Sequence, residues 1–322
     1  MRLAPSLLLL AAACKAPPPA PEGLDESARY LVREFFADDA TFQAGVQGFV
    51  NWFDDEGVDL VGVSANVNNA GAFTVGDLLP EDVVALPLTP DLIIANPGKD
   101  NEERAPRDVA DAAGVVSLAQ MACPVHGDEL SAEALLARPD QDVVFCKDFT
   151  SYDRTYETDR STFEASWGSD LTPVRDRVDP YGGDFDADAY ADMMLFTVND
   201  VDPTRVLVAD IEQYTMDLVF RHGTYELDEG PLATTAVLTF TRDAAWGDAG
   251  ANALLQSYSV EINVERDGQT IRMLAVWAQP KGSGIQPDDN AALAFAVNKA
   301  GASSARMSDI CAGLISPESE CE

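Results

Sequence analysis

Two stretches of alternating apolar residues, 254–265 and 269–279, flank the dipeptide Asp267-Gly268. A two-residue connection of this composition is suited to the type I′ hairpin turn, which needs positive φ at both central positions. Once the turn is set, the register follows. Pairing outward places Val264 against Ile271, Ile262 against Met273, Val260 against Ala275 and Tyr258 against Trp277, with all eight side chains on one face. Glu265, Asn263, Glu261 and Ser259 oppose Thr270, Arg272, Leu274 and Val276 on the other face, which is more polar. An antiparallel sheet with one such apolar face commits that face to a core or a cavity.

The rest of the chain supplies partners for this hairpin. Strands are expected at 58–67, 115–121, 143–149, 193–198, 205–211, 214–222 and 232–242, with His222 as a turn residue before Gly223 and Asn199, Asp200 and Asp202 as a turn before Pro203. Helices are expected at 24–36, around Leu31, Val32 and Phe35, and at 38–55, where Phe42, Val46, Phe49, Val50 and Phe53 recur at spacings of three and four. A shorter helix is expected at 128–137. A long final helix begins at an N-cap on Asp288 or Asp289 and runs to about Leu314, with Leu293, Val297, Ala300, Met307, Cys311 and Leu314 along one stripe. That stripe needs a surface to bury against, and the preceding sheet offers one. Residues 68–108 read as irregular, 152–156 as a polar-aromatic stretch and 167–188 as a loop; the charged run 99–107 marks the best internal boundary. The expected organisation is a leader (1–13), a tether (14–23), an N-terminal helical and irregular subdomain (24–108), an α+β domain (109–316) and a tail (317–322).

Arg2 gives the N-terminus a positive charge, and residues 3–13 are apolar apart from Pro5 and Ser6. This run is shorter than the roughly 20 residues that span a bilayer, and fits the apolar region of a secretory leader. Ala11-Ala12-Ala13 then runs directly into Cys14. The arrangement resembles the lipobox of bacterial lipoproteins, although Ala11 stands where that family usually has Leu, with Leu10 one position further back. The resemblance implies cleavage before Cys14 and diacylglycerol on its thiol, so the membrane is an expected partner. Lys15 after the lipidated cysteine implies the outer membrane of a bacterial cell envelope. The bland alternative is an ordinary leader with Cys14 a free thiol, which gives no purpose to the segment that follows. Residues 15–23, KAPPPAPEG, favour extended polyproline II, and 16–23 would reach roughly 25 Å at about 3.1 Å per residue.

Beyond Cys14 the chain holds Cys123, Cys146, Cys311 and Cys321. An even remainder in an oxidising compartment points to two disulfides; of three connectivities the sequential one, Cys123–Cys146 and Cys311–Cys321, closes short loops. Acidic residues outnumber basic ones 55 to 21, for a net charge of −34. Such a field opposes binding to phosphate backbones, so no nucleic-acid partner is expected, and its simplest role is solubility. The apolar stretch 83–95 is broken by Pro87, Pro90 and Asp91, so no span is expected after Cys14.

Chemistry has few handholds. There are two histidines, His126 and His222, and neither sits in a recognisable motif. The cluster Cys123, His126, Glu129 loses its thiolate if Cys123 is bridged. Asp184, Asp186, Asp188 and Asp192 resemble an acidic calcium loop, but Ala189 stands where such loops need glycine. With no nucleophile elbow, zinc-hydrolase, phosphate-loop or dinucleotide motif, no catalytic residue, metal site or cofactor is expected.

Over 110–315 the order of a strand, a helix, a run of antiparallel strands and a long final helix resembles the helix-grip fold of START and Bet v 1-like proteins. The resemblance implies an α+β fold with a curved antiparallel sheet packed against the C-terminal helix, and it would bring Cys123 and Cys146 together. It also implies a cavity for a lipid-like hydrophobic ligand, walled by Tyr258, Val260, Ile262, Met273 and Trp277 and facing Leu293, Val297 and Ala300. A filled core is the alternative for the same residues. Two functions follow as expectations: a membrane-anchored lipoprotein that binds a hydrophobic ligand, or a non-catalytic envelope interaction module that uses its acidic surface.

Overall fold

The computed structural model describes residues 18–57, 72–86, 88–94, 103–121, 152–157, 194–201, 204–206, 209–211, 214–241, 244–246 and 253–281, together with residues 297, 301, 305 and 309. The chain folds as α+β, with a large antiparallel sheet and N-terminal helices.

Helix α1 spans Leu24–Arg33 and α2 spans Asp39–Trp52. The Asp38 side chain caps α2 by accepting from the Thr41 N–H at 3.0 Å, satisfying one of the first-turn donors that have no intrahelical partner. A π-helical turn, Phe53–Gly57, extends α2 and keeps Phe53 buried. The two helices cross closely at Gly45, where a Cβ would lie 2.8 Å from the Tyr30 ring and 2.9 Å from the Leu31 side chain. Only glycine fits that crossing.

The strands are β1 (Ala72–Val75), β2 (Asp91–Ile94), β3 (Glu103–Pro106), β4 (Ala113–Met121), β5 (Tyr152–Glu157), β6 (Met194–Val201), β7 (Thr204–Val206), β8 (Ala209–Ile211), β9 (Tyr214–Leu227), β10 (Gly230–Thr241), β11 (Ala245–Trp246), β12 (Ala253–Arg266) and β13 (Gln269–Lys281). The main sheet runs β1-β4-β13-β12-β10-β9-β6-β5, with β11 also on β12; β2-β3 and β7-β8 are separate two-stranded pairs. At the β12–β13 turn, Asp267 and Gly268 have φ of 54° and 74°, as the type I′ turn requires. All four expected apolar pairs form, Val264 with Ile271 through Tyr258 with Trp277.

Several local expectations are corrected. Residues 205–211 form two short strands, because Thr204–Val206 and Ala209–Ile211 fold back on each other. Strand β9 passes through Gly223 to Leu227, and His222 pairs with Thr235 in mid-strand rather than turning. The reversal comes later, at Asp228-Glu229, followed by Gly230 with φ 114°. Asn199 and Asp200 lie within β6. Tyr152–Glu157 is a strand paired with β6, and residues 72–75, 91–94 and 103–106 are strands within the stretch read as irregular.

The apolar hairpin face continues across neighbouring strands. Register sets Leu118 beside Met273, Val116 beside Ala275, Leu238 beside Val260 and Ala236 beside Ile262, and all eight are fully buried. The same core takes in Leu31, Val32 and Phe35 from α1 and Phe42, Val46, Phe49 and Val50 from α2. Helix α1 packs on β12 and α2 on β9. The segment 24–108, expected as a subdomain, thus contributes its helices and β1 directly to the core of the sheet. The described cover of this face is N-terminal, where the terminal helix was expected.

Of the final helix, Val297, Gly301, Ala305 and Asp309 are helical; Gly301 is buried and Ala305 packs against the core. The remainder of that helix lies outside the described residues, as do the expected elements at 58–67, 128–137 and 143–149 and the loop at 167–188.

Candidate functional site

Tyr258, Val260, Ile262, Met273 and Trp277, expected as ligand walls, are each 0% exposed. Trp277 shows how the space is filled. Its indole N–H donates to the Gly76 carbonyl at 2.9 Å, and its ring lies over Gly114, where a Cβ would stand 2.6 Å from the indole nitrogen. An aromatic ring and a bare backbone interlock, and protein rather than solvent surrounds the ring. Of the opposing wall, Val297 is helical and half-buried, while Leu293 and Ala300 lie outside the described residues. So do the anchor Cys14, the four expected disulfide cysteines Cys123, Cys146, Cys311 and Cys321, and the acidic loop 184–192.

The rim of this core is polar and hydrogen-bonded. The Tyr258 hydroxyl donates to Gln256 Oε1 at 2.8 Å and accepts from Arg107 at 3.0 Å. Gln256, itself buried, donates to the Asp108 carbonyl and to Gln279. Burial raises the Tyr258 phenol above its ordinary value, and the Arg107 charge only partly opposes this, so the group stays protonated. These bonds tie the stretch before β4 to the end of the sheet.

Buried charges were not anticipated from sequence, and two of them are arginines on opposite faces of the sheet. Arg221 lies on the inward side of β9, with its guanidinium 4.2 Å from the Phe42 ring centroid. It donates to the Phe35 carbonyl at 2.8 Å, the Ala37 carbonyl at 2.9 Å and the Tyr225 hydroxyl at 3.1 Å, and pairs with Asp39. One cation therefore closes the α1–α2 connection and fixes it to the sheet. The signal was present: inward positions alternate, and Arg221 shares the parity of Val219 and Tyr225.

Arg272, also 0% exposed, lies on the opposite face. Its Nε donates to Glu261 Oε1 at 2.7 Å, and Asn263 donates to the same oxygen at 3.1 Å. Glu261 and Arg272 occupy diagonal positions across β12 and β13, a spacing that long side chains bridge. Thr235, Thr270 and Ser117 are buried on this face too. The second face is therefore covered as well as polar.

Exposed acidity gathers at one end. Asp54, Asp55 and Glu56 of the π-helical turn meet Asp228 and Glu229 of the β9–β10 turn and Asp267 of the β12–β13 turn. Arg266 joins the three elements, pairing with Asp54 and, at 2.8 Å, with Glu229. The Glu229 carboxyl is held above its ordinary value, first by partial burial and then by a hydrogen bond with the Asp54 carboxyl, against the pull of Arg266. Gln43 of α2 donates to the Glu226 carbonyl near the end of β9, and Gln47 accepts from the Asp228 N–H of the β9–β10 turn. The arrangement is a rigid acidic surface made from a helix end and two hairpin turns.

Among the described residues, no group of three or more His, Cys, Asp or Glu is placed to hold a metal ion, and no helix is long and apolar enough to cross a membrane. No family model, curated protein or solved structure matches the chain.

Proposed function

We propose that the chain is a bacterial envelope lipoprotein, diacylated on Cys14, whose folded domain is a non-catalytic interaction module that offers its acidic surface to a basic partner. The observation that carries this choice over ligand carriage is the complete burial of Tyr258, Val260, Ile262, Met273 and Trp277 in one core with α1 and α2. A lipid-sized ligand on that face would have to displace two helices held by the Arg221 bonds. The acidic end needs no such rearrangement, since its carboxylates already stand in solvent on a braced framework.

The helix-grip part of the reading moves to the other side of the sheet. With α1 and α2 on the apolar face, the terminal helix belongs across the face that holds Glu261, Asn263 and Arg272. Its support is the helical state of Val297, Gly301, Ala305 and Asp309 at four-residue spacing, the burial of Gly301, the packing of Ala305 against a buried cluster that includes Ala119 and Met121 of this second face, and the need of buried Arg272, Thr270, Thr235 and Ser117 for cover.

Two measurements test the reading. Cells fed an alkyne fatty acid should label the wild-type chain and leave Cys14→Ala unlabelled and soluble; label on the variant removes the anchor. Pull-down by the purified domain should retain basic envelope proteins at low salt and release them as salt rises, because exposed charge pairs are screened. Saturable displacement of a fluorescent lipid by the domain would instead restore ligand carriage.

A further inference from the structure

Pro21, at the end of the expected tether, is seated on α2: a Cβ on Gly48 would lie 2.6 Å from the Pro21 ring and 2.7 Å from its carbonyl oxygen. Glycine at position 48 is what lets the chain lie so close to the helix. Resting on the reading of Cys14 as the lipidated residue, we propose that the layer formed by α1 and α2 is the membrane-facing side of the domain, with a lipid surface as its neighbour.

Reach limits how the domain can sit. Pro21 lies seven positions after Cys14, and a fully extended chain covers at most about 25 Å over those seven steps. A folded chain of this size has a radius of gyration near 19 Å, hence a diameter of roughly 50 Å. To present its far side to the bilayer, the domain would need a tether that runs around half its circumference, roughly 80 Å for that diameter. The seated proline removes any slack that residues beyond it would have given.

The same layer carries exposed apolar residues. Val84 is 82% exposed and Leu79 38%, and they flank the short turn Pro80–Val83 that packs along α1. Arg33 fixes that turn through the buried carboxylate of Asp82 at 2.6 Å. Exposed Glu22 and Asp25 stand nearby in the chain, so this side faces headgroups rather than entering the acyl region.

The test uses the lipidated full chain in phosphatidylcholine vesicles that contain a photoactivatable headgroup lipid. Labelling of each peptide is divided by its labelling with a soluble form of the same reagent. The expected result is a several-fold excess on 39–52 and 76–86 over 233–241, whose solvent-accessible side chains include the half-buried Ala233 and Thr239 on the opposite face of the sheet. Equal or reversed labelling overturns the orientation. Inserting a flexible Gly/Ser linker of about 60 residues after Lys15 adds an r.m.s. reach of roughly 40 Å, close to the diameter of the domain, and should reduce the bias; a bias left unchanged overturns the argument from length. Failure of the wild-type chain to partition into vesicles contradicts the lipoprotein reading itself, a distinct outcome.

Discussion

Single positions in this fold are constrained by what lies against them. Gly114 is occupied from above by Trp277, so Gly114→Ala should destabilise the domain by about 1–3 kcal/mol, the usual range for overpacking, measured as a lower urea midpoint at unchanged slope. The Arg272–Glu261 pair is constrained differently. Removing one partner leaves a buried charge, so Arg272→Met should cost about 3–5 kcal/mol, and adding Glu261→Leu should recover a substantial part of it. A double variant whose cost equals the sum of the two single changes would show that the two side chains are not coupled. Glu229 carries a pH signature. Its carboxyl is raised in the folded state, so its contribution is complete below the ordinary glutamate range and is lost as pH rises through the raised value. The melting temperature of wild type relative to Glu229→Gln should therefore fall from pH 4 to pH 7; a flat difference would remove the carboxyl pair from the account.

At the scale of elements, the hairpin was readable because it is specified twice, by turn chemistry and by alternation. Asp267-Gly268 selected the turn, and every apolar pair then followed at the predicted register. Gly268→Ala places a side chain at φ 74° and should cost on the order of 1 kcal/mol, read from the same urea transition. The helices were readable from their period. Their destination was not, because an apolar stripe states that it must be buried and not against which surface. The described cover of the apolar sheet face is α1 and α2, whereas sequence order made the terminal stripe the nearer candidate for it. Arg221 holds the α1–α2 connection to the sheet through the Phe35 and Ala37 carbonyls, and Trp277 holds the residue after β1 through the Gly76 carbonyl, contacts that no local pattern encodes. The misread ends of β9 and β6 have a related cause. Gly223 and the Asn199-Asp200 pair carry turn-forming chemistry, yet ladder pairing on both sides of them outweighs that preference. The candidate site was partly readable: the acid excess is plain in composition, but its concentration where α2 meets two hairpin turns depends on contacts between residues more than 200 positions apart.

For the whole molecule, the account joins a lipid anchor, a short seated tether and a sheet whose apolar face is closed by the helices nearest that tether. On the proposed anchoring, closure and anchoring are coupled, because the helices that cover the core follow directly on the tether. Among the described residues the apolar face is filled by packed side chains, and exposed carboxylates gather where α2 meets two hairpin turns. Native mass spectrometry of the soluble Cys14→Ala chain, exposed to a total lipid extract and then desalted, tests this most directly. The account predicts the mass of the bare polypeptide at every lipid concentration. A stoichiometric lipid adduct that saturates and is lost on unfolding would contradict it, since the ligand would then occupy space assigned here to Phe42, Phe49 and their neighbours.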